Sequence, residues 1–447
     1  MGNKAWPFLA GLAAGASGLL LAQALSPRRR LDPRLIKALR SSGSEGAPTV
    51  LVPGIMGSRL VRPDGAEAWL NLANAFGHHD LRLPLELPLD TSRDQLRPSG
   101  LLGVDTALPR AFGFTEYADL VHLLEGAGFH HGLRGKGPSY HVFAYDWRRD
   151  LVESARALGE TLDALAEAMD DPQARFNVIG HSMGGLVARY YLRFGGAEPG
   201  ETTPVTWAGA RRLRNLALVA TPNGGSIPSL GAVLAGERVG LSYTTLAASV
   251  IARMPSIYQL FPPAGTRPLL NRQGERLEAD LHDVATWERF GWGPFAPARG
   301  ARRLPNGERV DTDEGQRAFV SAALARAGAF HRALARAPET PCPARVVVLG
   351  GDCLPTLARA IVADLPGLPP RLEPVTRRES EWMFEAGDGR VTRDSVLASH
   401  LPGAADSETG SGFLEASQVF FGAADHHGIY QEPTFQNLLL RMLLRRS

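Results

Sequence analysis

The chain has 447 residues, 44% of them hydrophobic, and 48 lysines and arginines stand against 46 aspartates and glutamates for a formal charge of +2. That length holds one large domain with insertions or two to three ordinary ones, with apolar content enough for a sizeable core. So balanced a charge gives no electrostatic reason to expect nucleic acid as a partner.

Residues 1–30 form the first unit. No charge occurs from Ala5 to Pro27, and "FLAGLAAGASGLLLAQAL" is long enough to cross a hydrocarbon core as a helix. Lys4 and Ala22-x-Ala24 also suit a cleaved secretory signal. Arg28, Arg29 and Arg30 follow directly, and a basic cluster on that flank holds it on the cytoplasmic side. An uncleaved N-terminal anchor is therefore the favoured reading, with membrane association through residues 5–27 and secretion after cleavage as the alternative. Residues 31–48, ending in "RSSGSEGAP", read as a linker.

From there, short apolar runs alternate with longer helical patterns: "TVLVPG" (49–54), "YHVFAYDW" (140–147), "FNVIG" (176–180), "LRNLALVATP" (213–222) and "ARVVVLGG" (344–351). "LVESARALGETLDALAEAM" repeats leucine and alanine at helical spacing. Strand and helix in this rhythm predict an α/β fold, a mostly parallel central sheet with helices on both faces. The rhythm breaks over 226–343, a stretch with many prolines, tryptophans and apolar residues that reads as an inserted cap. The core thus has a first part, 49–225, and a second part, 344–447.

In "FNVIGHSMGG" (176–185), Ser182 has Gly180 and Gly184 two places to either side. With 49 glycines in the chain the bare pattern is cheap, but here a strand ends at Gly180 and a helix is expected from Leu186 to Phe194. A serine at that junction occupies a tight turn in which side chains two residues away would strike the neighbouring strand and helix, and glycine removes them. Such a serine needs a base and a group to orient it, in the order serine, acid, histidine. "WMFEAGDGRV" (382–391) ends a strand-like run at Asp388, and "QVFFGAADHHGIY" (418–430) ends another at His426-His427. Loops at the carboxyl edge of a parallel sheet can converge. His426 would take the Ser182 proton and Asp388 would hold the imidazole tautomer. Asp352, in "LGGDCL", is the second candidate acid, and His427 the second candidate base. Oxyanion donors are expected at the N–H of Met183 and, in the loop after the first strand, of Ile55.

No cofactor or metal is expected. "GHSMGG" lacks the lysine of a phosphate loop and "GGDCLPTLA" lacks dinucleotide glycine spacing. The remaining histidines, including the pairs His78-His79 and His130-His131, read as surface or helix-end residues, and Cys342 and Cys353 as one disulfide or as free or structural thiols.

Seven stretches in order, "VPGIMGSRL", "AYDWRRD" (144–150), "GHSMGG", "ATPNGGS" (220–226), "MPSIYQLFPP" (254–263), "GDGRV" and "DHHGIY", make the chain resemble the lecithin:cholesterol acyltransferase family of α/β-hydrolases, across roughly residues 49–445. The family also includes lysosomal phospholipase A and phospholipid:diacylglycerol acyltransferases. The resemblance implies an α/β-hydrolase fold, a nucleophile at Ser182, an acid at Asp388, a histidine at His426 and oxyanion donors at Ile55 and Met183. It implies too that 226–343 is a lid over an acyl-binding groove and that "AYDWRRD" frames the site, which makes Trp147 a candidate substrate contact. Secreted members carry a disulfide near an early membrane-binding loop, whereas this chain has no cysteine before Cys342. Trp69, in "EAWLNLANAF", is either a lipid contact or a packed core residue.

The expected activity is serine-dependent cleavage of a lipid ester through an acyl-enzyme, with water or an alcohol as acyl acceptor. A carboxylesterase acting on non-lipid esters is the alternative, and an inactive membrane-tethered binding protein on a hydrolase scaffold is the reading from a different class.

Overall fold

The computed structural model describes residues 47–69, 81–104, 116–133, 138–238, 245–296, 313–363, 365–401 and 415–444. The apolar segment 5–27, nearly all of the 31–48 linker and the His78-His79 pair lie outside them. Among the described residues no helix is long and apolar enough to cross a membrane.

Seven strands form the central sheet: β1 (Thr49–Val52), β2 (His130–His131), β3 (Ser139–Val142), β4 (Phe176–His181), β5 (Leu213–Val219), β6 (Arg345–Gly351) and β7 (Ala416–Gly422). Their order is β7-β6-β5-β4-β1-β3-β2, and every pairing is parallel. Strands buried on both faces need apolar residues at consecutive positions, and alternate side chains go to opposite sides. Val50, Val178, Leu216, Leu218, Val346 and Val348 join one core cluster; Leu51, Ile179, Ala217, Val219, Val347 and Leu349 join another.

Each cluster is closed by helices. On the first face lie α2 (Leu151–Ala168) and α3 (Met183–Phe194); on the second, α1 (Glu116–Gly126) and α5 (Pro433–Leu444). In α2 the buried Leu151, Ala155, Leu158, Leu162 and Ala166 recur at intervals of three or four, and Asp150 caps its start by accepting from the Val152 N–H. Gly195, left-handed at φ 61°, ends α3.

Register brings the carboxyl ends into line. Val52 pairs Gly180, His181 pairs Val219, Leu349 pairs Val219 and Gly351 pairs Gly422, so the loops after β1, β4, β5, β6 and β7 leave from one edge. Two expected strands end differently. The run 140–147 leaves the sheet after Val142, because Tyr145 and Trp147 turn inward to hydrogen-bond Pro53 and Ser58 carbonyls. The strand before Asp388, Phe384–Gly387, is not in the parallel sheet; it pairs antiparallel with Leu354–Leu357 in a separate ribbon beyond the end of β6. His130-His131, expected at a helix end or surface, forms the edge strand β2.

The chain between β5 and β6 is packed against the sheet's first face. Tyr258, Phe261, Trp287 and Trp292 share the same core cluster as β4 and α3. From α4 (Asp313–Leu334), Phe330 stacks on Tyr190 of α3 at 5.2 Å, and Arg326 pairs with Asp150 at 2.6 Å. Gln259 accepts from the Leu151 N–H at 2.8 Å and donates to Asp150 at 2.6 Å, and the Ser256 hydroxyl donates to the Trp147 carbonyl at 2.6 Å. The inserted chain thus grips the 144–150 stretch at several points. The two cysteines are unpaired; Cys353 is exposed and Cys342 half-buried.

Candidate active site

β4 delivers Ser182 to the sheet edge in an unusual backbone state, φ 52° and ψ −126°. A non-glycine residue held there costs about 1–3 kcal/mol and persists only where its surroundings over-determine it. Those surroundings are explicit. The Ser182 N–H donates to the Val219 carbonyl at 2.8 Å, and its carbonyl accepts from the Gly185 N–H at 2.9 Å. Although Ser182 stands at the N-cap of α3, its hydroxyl does not cap the helix.

The flanking glycines follow from close backbone approach. A Cβ on Gly180 would lie 2.7 Å from Gly185 Cα; one on Gly184 would lie 2.3 Å from the carbonyl oxygens of both Val52 and Pro53; one on Gly185 would lie 1.9 Å from Thr221 Oγ1. α3 therefore begins earlier than expected, at Met183, with both glycines inside its first turn. Glycine's weak helix propensity is overridden by the need to press that turn against β1 and the loop after β5.

The loop after β1 turns tightly, with the Gly57 N–H donating to the Gly54 carbonyl at 3.1 Å and Met56 at φ 62°. Gly54 touches the loop that carries Ser182: a Cβ on it would sit 2.9 Å from Ser182 Cβ. The N–H groups of Ile55 and Met183 are engaged in no hydrogen bond among the described residues. Two backbone donors, one from each loop, are thus left available close to Ser182.

Asp388 lies in the turn after Phe384–Gly387, 1% exposed. One carboxylate oxygen accepts from the N–H groups of Arg390 at 2.9 Å and Val391 at 2.7 Å; the other meets His426 Nδ1 at 2.8 Å. The His426 N–H also donates to the Asp388 carbonyl at 2.9 Å. Burial opposes ionisation of Asp388, but the neighbouring imidazole and these hydrogen bonds outweigh it and hold its carboxyl below the usual carboxylate range. Gly351, ending β6, lets the two loops meet: a Cβ there would lie 2.0 Å from the Ala424 carbonyl oxygen and 3.0 Å from Asp388 Cβ.

The alternatives have other partners. Asp352 pairs with Arg393 at 3.2 Å, and His427 faces Glu116, Nδ1 to Oε1 3.4 Å, with its side chain 44% exposed. Trp69 and Trp147 are buried at 3% and 0%, stack edge to face at 5.6 Å, and donate their indole N–H groups to the Met56 and Ser58 carbonyls. Both brace the loop after β1 from beneath. Beside Trp147, the buried Arg148 guanidinium is held by Asp94 and Asp146. Among the described residues no group of three or more His, Cys, Asp or Glu is placed to hold a metal ion.

The sequence points to no role for Tyr117, and His181, expected with the remaining histidines at the surface or a helix end, is instead buried at 3% exposure at the end of β4. The Gly54 N–H donates to Tyr117 Oη at 2.7 Å, Oη lies 3.0 Å from His181 Nδ1, and His181 Nε2 lies 3.3 Å from the His426 carbonyl. The rings of His181 and His426 are 5.1 Å apart, so the residue before Ser182 lies against the histidine that Asp388 holds. No spacing signal could have joined Tyr117 to a partner 64 positions away.

A family model described as lecithin:cholesterol acyltransferase matches residues 96–283, a span that contains Ser182 but not Ile55, Asp388 or His426. Among solved structures, the chain is similar to one from the Tle4–Tli4 complex, at 16% identity and a TM-score of 0.51, covering 89% of this chain and 98% of that one. It also aligns with the mature lipase BlEst2 of Bacillus licheniformis at 11% identity and a TM-score of 0.35, covering 94% and 96%. Phospholipase PlaB of Legionella pneumophila aligns at 12% identity and a TM-score of 0.22, covering 54% and 42%. No curated protein matches the sequence. Over residues 96–283 the chain thus matches the family model described as lecithin:cholesterol acyltransferase, and its mostly parallel seven-stranded sheet with helices on both faces is consistent with an α/β-hydrolase fold.

Proposed function

We propose that the protein is a serine-dependent lipid ester hydrolase or O-acyltransferase in which Ser182 is the nucleophile, His426 the base and Asp388 the group that orients it. The observation that carries this is the buried 2.8 Å contact between His426 Nδ1 and Asp388, set at the same sheet edge as a serine in a strained strand-to-helix turn. With Nδ1–H donated to the carboxylate, Nε2 keeps its lone pair for the Ser182 proton, and Asp388 stabilises the imidazolium that forms. The alkoxide attacks the ester carbonyl, and the resulting oxyanion is received by the Ile55 and Met183 N–H groups. His426 returns the proton to the departing alcohol, leaving an acyl-Ser182 that water or a second alcohol resolves.

The family match supports the choice of a lipid ester, and the apolar chain inserted between β5 and β6, residues 226–343, is proposed as the lid over the acyl chain. Hydrolysis is favoured over transfer, since no acceptor-specific residue stands out. Purified protein incubated with mixed phospholipids, with and without a long-chain alcohol, followed by mass analysis of products, tests the reading. Free fatty acid alone means a hydrolase and a new ester means a transferase; turnover of short soluble esters far faster than long ones would overturn the lipid assignment. Membrane attachment through residues 5–27 belongs to the same proposal, tested by whether truncation to residue 47 releases the protein from vesicles.

A further inference from the structure

We infer that Tyr117 and His181 are positioning residues forming a hydrogen-bond relay that locks the oxyanion loop to the backbone of the catalytic histidine, an inference that rests on the reading of Ser182, Asp388 and His426 above. The relay runs from the Gly54 N–H through Tyr117 Oη and the His181 ring to the His426 carbonyl, over contacts of 2.7, 3.0 and 3.3 Å. Tyr117, His181 and His426 are all at least nine-tenths buried, so water does not compete for these groups.

The direction of every proton is forced. The Gly54 N–H can only donate, so Tyr117 Oη accepts there and must place its own proton elsewhere, and His181 Nδ1 is the acceptor within reach. A neutral His181 that accepts at Nδ1 carries its proton on Nε2, which faces a carbonyl that can only accept. The reversed arrangement would strand the Tyr117 proton and set the Nε2 lone pair against the carbonyl oxygen. Burial keeps the ring neutral by pushing His181 down to about 3, so the relay has one state across the neutral range.

The relay joins three loops that carry the chemistry. Gly54 precedes the expected oxyanion donor Ile55, His181 precedes the nucleophile, and His426 is the base. The same end of α1 holds the histidine loop twice more, through Glu116 opposite His427 at 3.4 Å and Asp119 accepting from Gln431 Nε2 at 2.7 Å. Since one misplaced group within a catalytic set costs rate without altering substrate affinity, relay loss should appear in kcat.

The test uses the whole protein and a long-chain p-nitrophenyl ester. Tyr117→Phe keeps the ring but breaks both inner links, and kcat should fall about tenfold or more with KM unchanged, the order expected for a lost buried hydrogen bond. His181→Leu should do the same, whereas His181→Gln, whose amide can still donate to the His426 carbonyl, should recover part of the lost kcat. A space-filling role would not rank glutamine above leucine in a buried position. Should Tyr117→Phe fail to fold, as judged by near-ultraviolet circular dichroism, the comparison of glutamine with leucine at 181 decides alone. Wild-type kcat in Tyr117→Phe, or leucine equal to glutamine at 181, overturns the relay. A fluorophosphonate that labels the wild type elsewhere than Ser182 would instead overturn the site reading on which the relay rests.

Discussion

Gly184→Ala tests how tightly the Ser182 turn and the loop after β1, proposed to carry the oxyanion donor, are pressed together. Its Cβ would lie 2.3 Å from both the Val52 and Pro53 carbonyl oxygens, where contacts under 3.0 Å essentially never occur, so the end of β1 must retreat by about 0.7 Å. Backbone oxygens cannot rotate away as a side chain would, and overpacking of this kind costs about 1–3 kcal/mol of stability. The retreating segment continues into Gly54 and Ile55, so the proposed donor moves with it. Losing one oxyanion donor costs about 10²–10³ in kcat. The expected outcome is thus a modest loss of stability in urea unfolding and a much larger loss of kcat. Gly315→Ala, in the first turn of α4 with nothing within 4 Å of the added Cβ, serves as control and should leave kcat unchanged while gaining up to about 1 kcal/mol. Wild-type kcat in Gly184→Ala would refute the claim that this contact sets the position of the proposed oxyanion donor.

Asp388→Asn should retain the backbone bonds from Arg390 and Val391 yet present an amide N–H to His426 Nδ1, favouring the wrong tautomer; ester turnover should fall by about 10⁴, while Asp352→Asn stays within a few-fold. Because folding depresses the Asp388 pKa, the stability this group contributes is complete above the unfolded carboxylate value of about 3.9 and is lost as pH falls through the lower folded value; the melting-temperature gap between wild type and Asp388→Asn should therefore hold at neutral pH and close only as pH falls below about 4. Arg148→Met leaves Asp146 buried without its cation and should destabilise the fold by about 3–5 kcal/mol in chemical unfolding, with KM little changed in any protein that remains folded. Trp69→Ala should cost about 3–5 kcal/mol as a core truncation; unaltered stability with weakened vesicle binding would instead favour a lipid contact.

The parallel strands are legible where strands buried on both faces need unbroken apolar runs, as in "FNVIG" and "ARVVVLGG", whose ends agree with the structure to within about a residue, whereas the run 140–147 leaves the sheet after Val142 and the edge strand His130–His131 carries no such run. The glycines around Ser182 were legible as a demand for space, but the neighbours making that demand, the β1 carbonyls and Thr221, belong to distant segments. The strand-like run before Asp388 looked like another sheet strand; local alternation carries no record of its partner, and it pairs with Leu354–Leu357 instead. The same limit applies to Trp69 and Trp147, whose indole N–H groups find backbone acceptors 13 and 89 positions away. Tyr117 was invisible for that reason, its role existing only once α1 is folded against the sheet edge.

The most direct measurement is mass-spectrometric location of a fluorophosphonate adduct in the wild type and in Ser182→Ala, His426→Ala and His427→Ala. The expected result is a label on the Ser182 peptide that vanishes with Ser182, drops steeply with His426 and survives with His427. A label that persists in Ser182→Ala, or that depends on His427 rather than His426, would contradict the proposed chemistry.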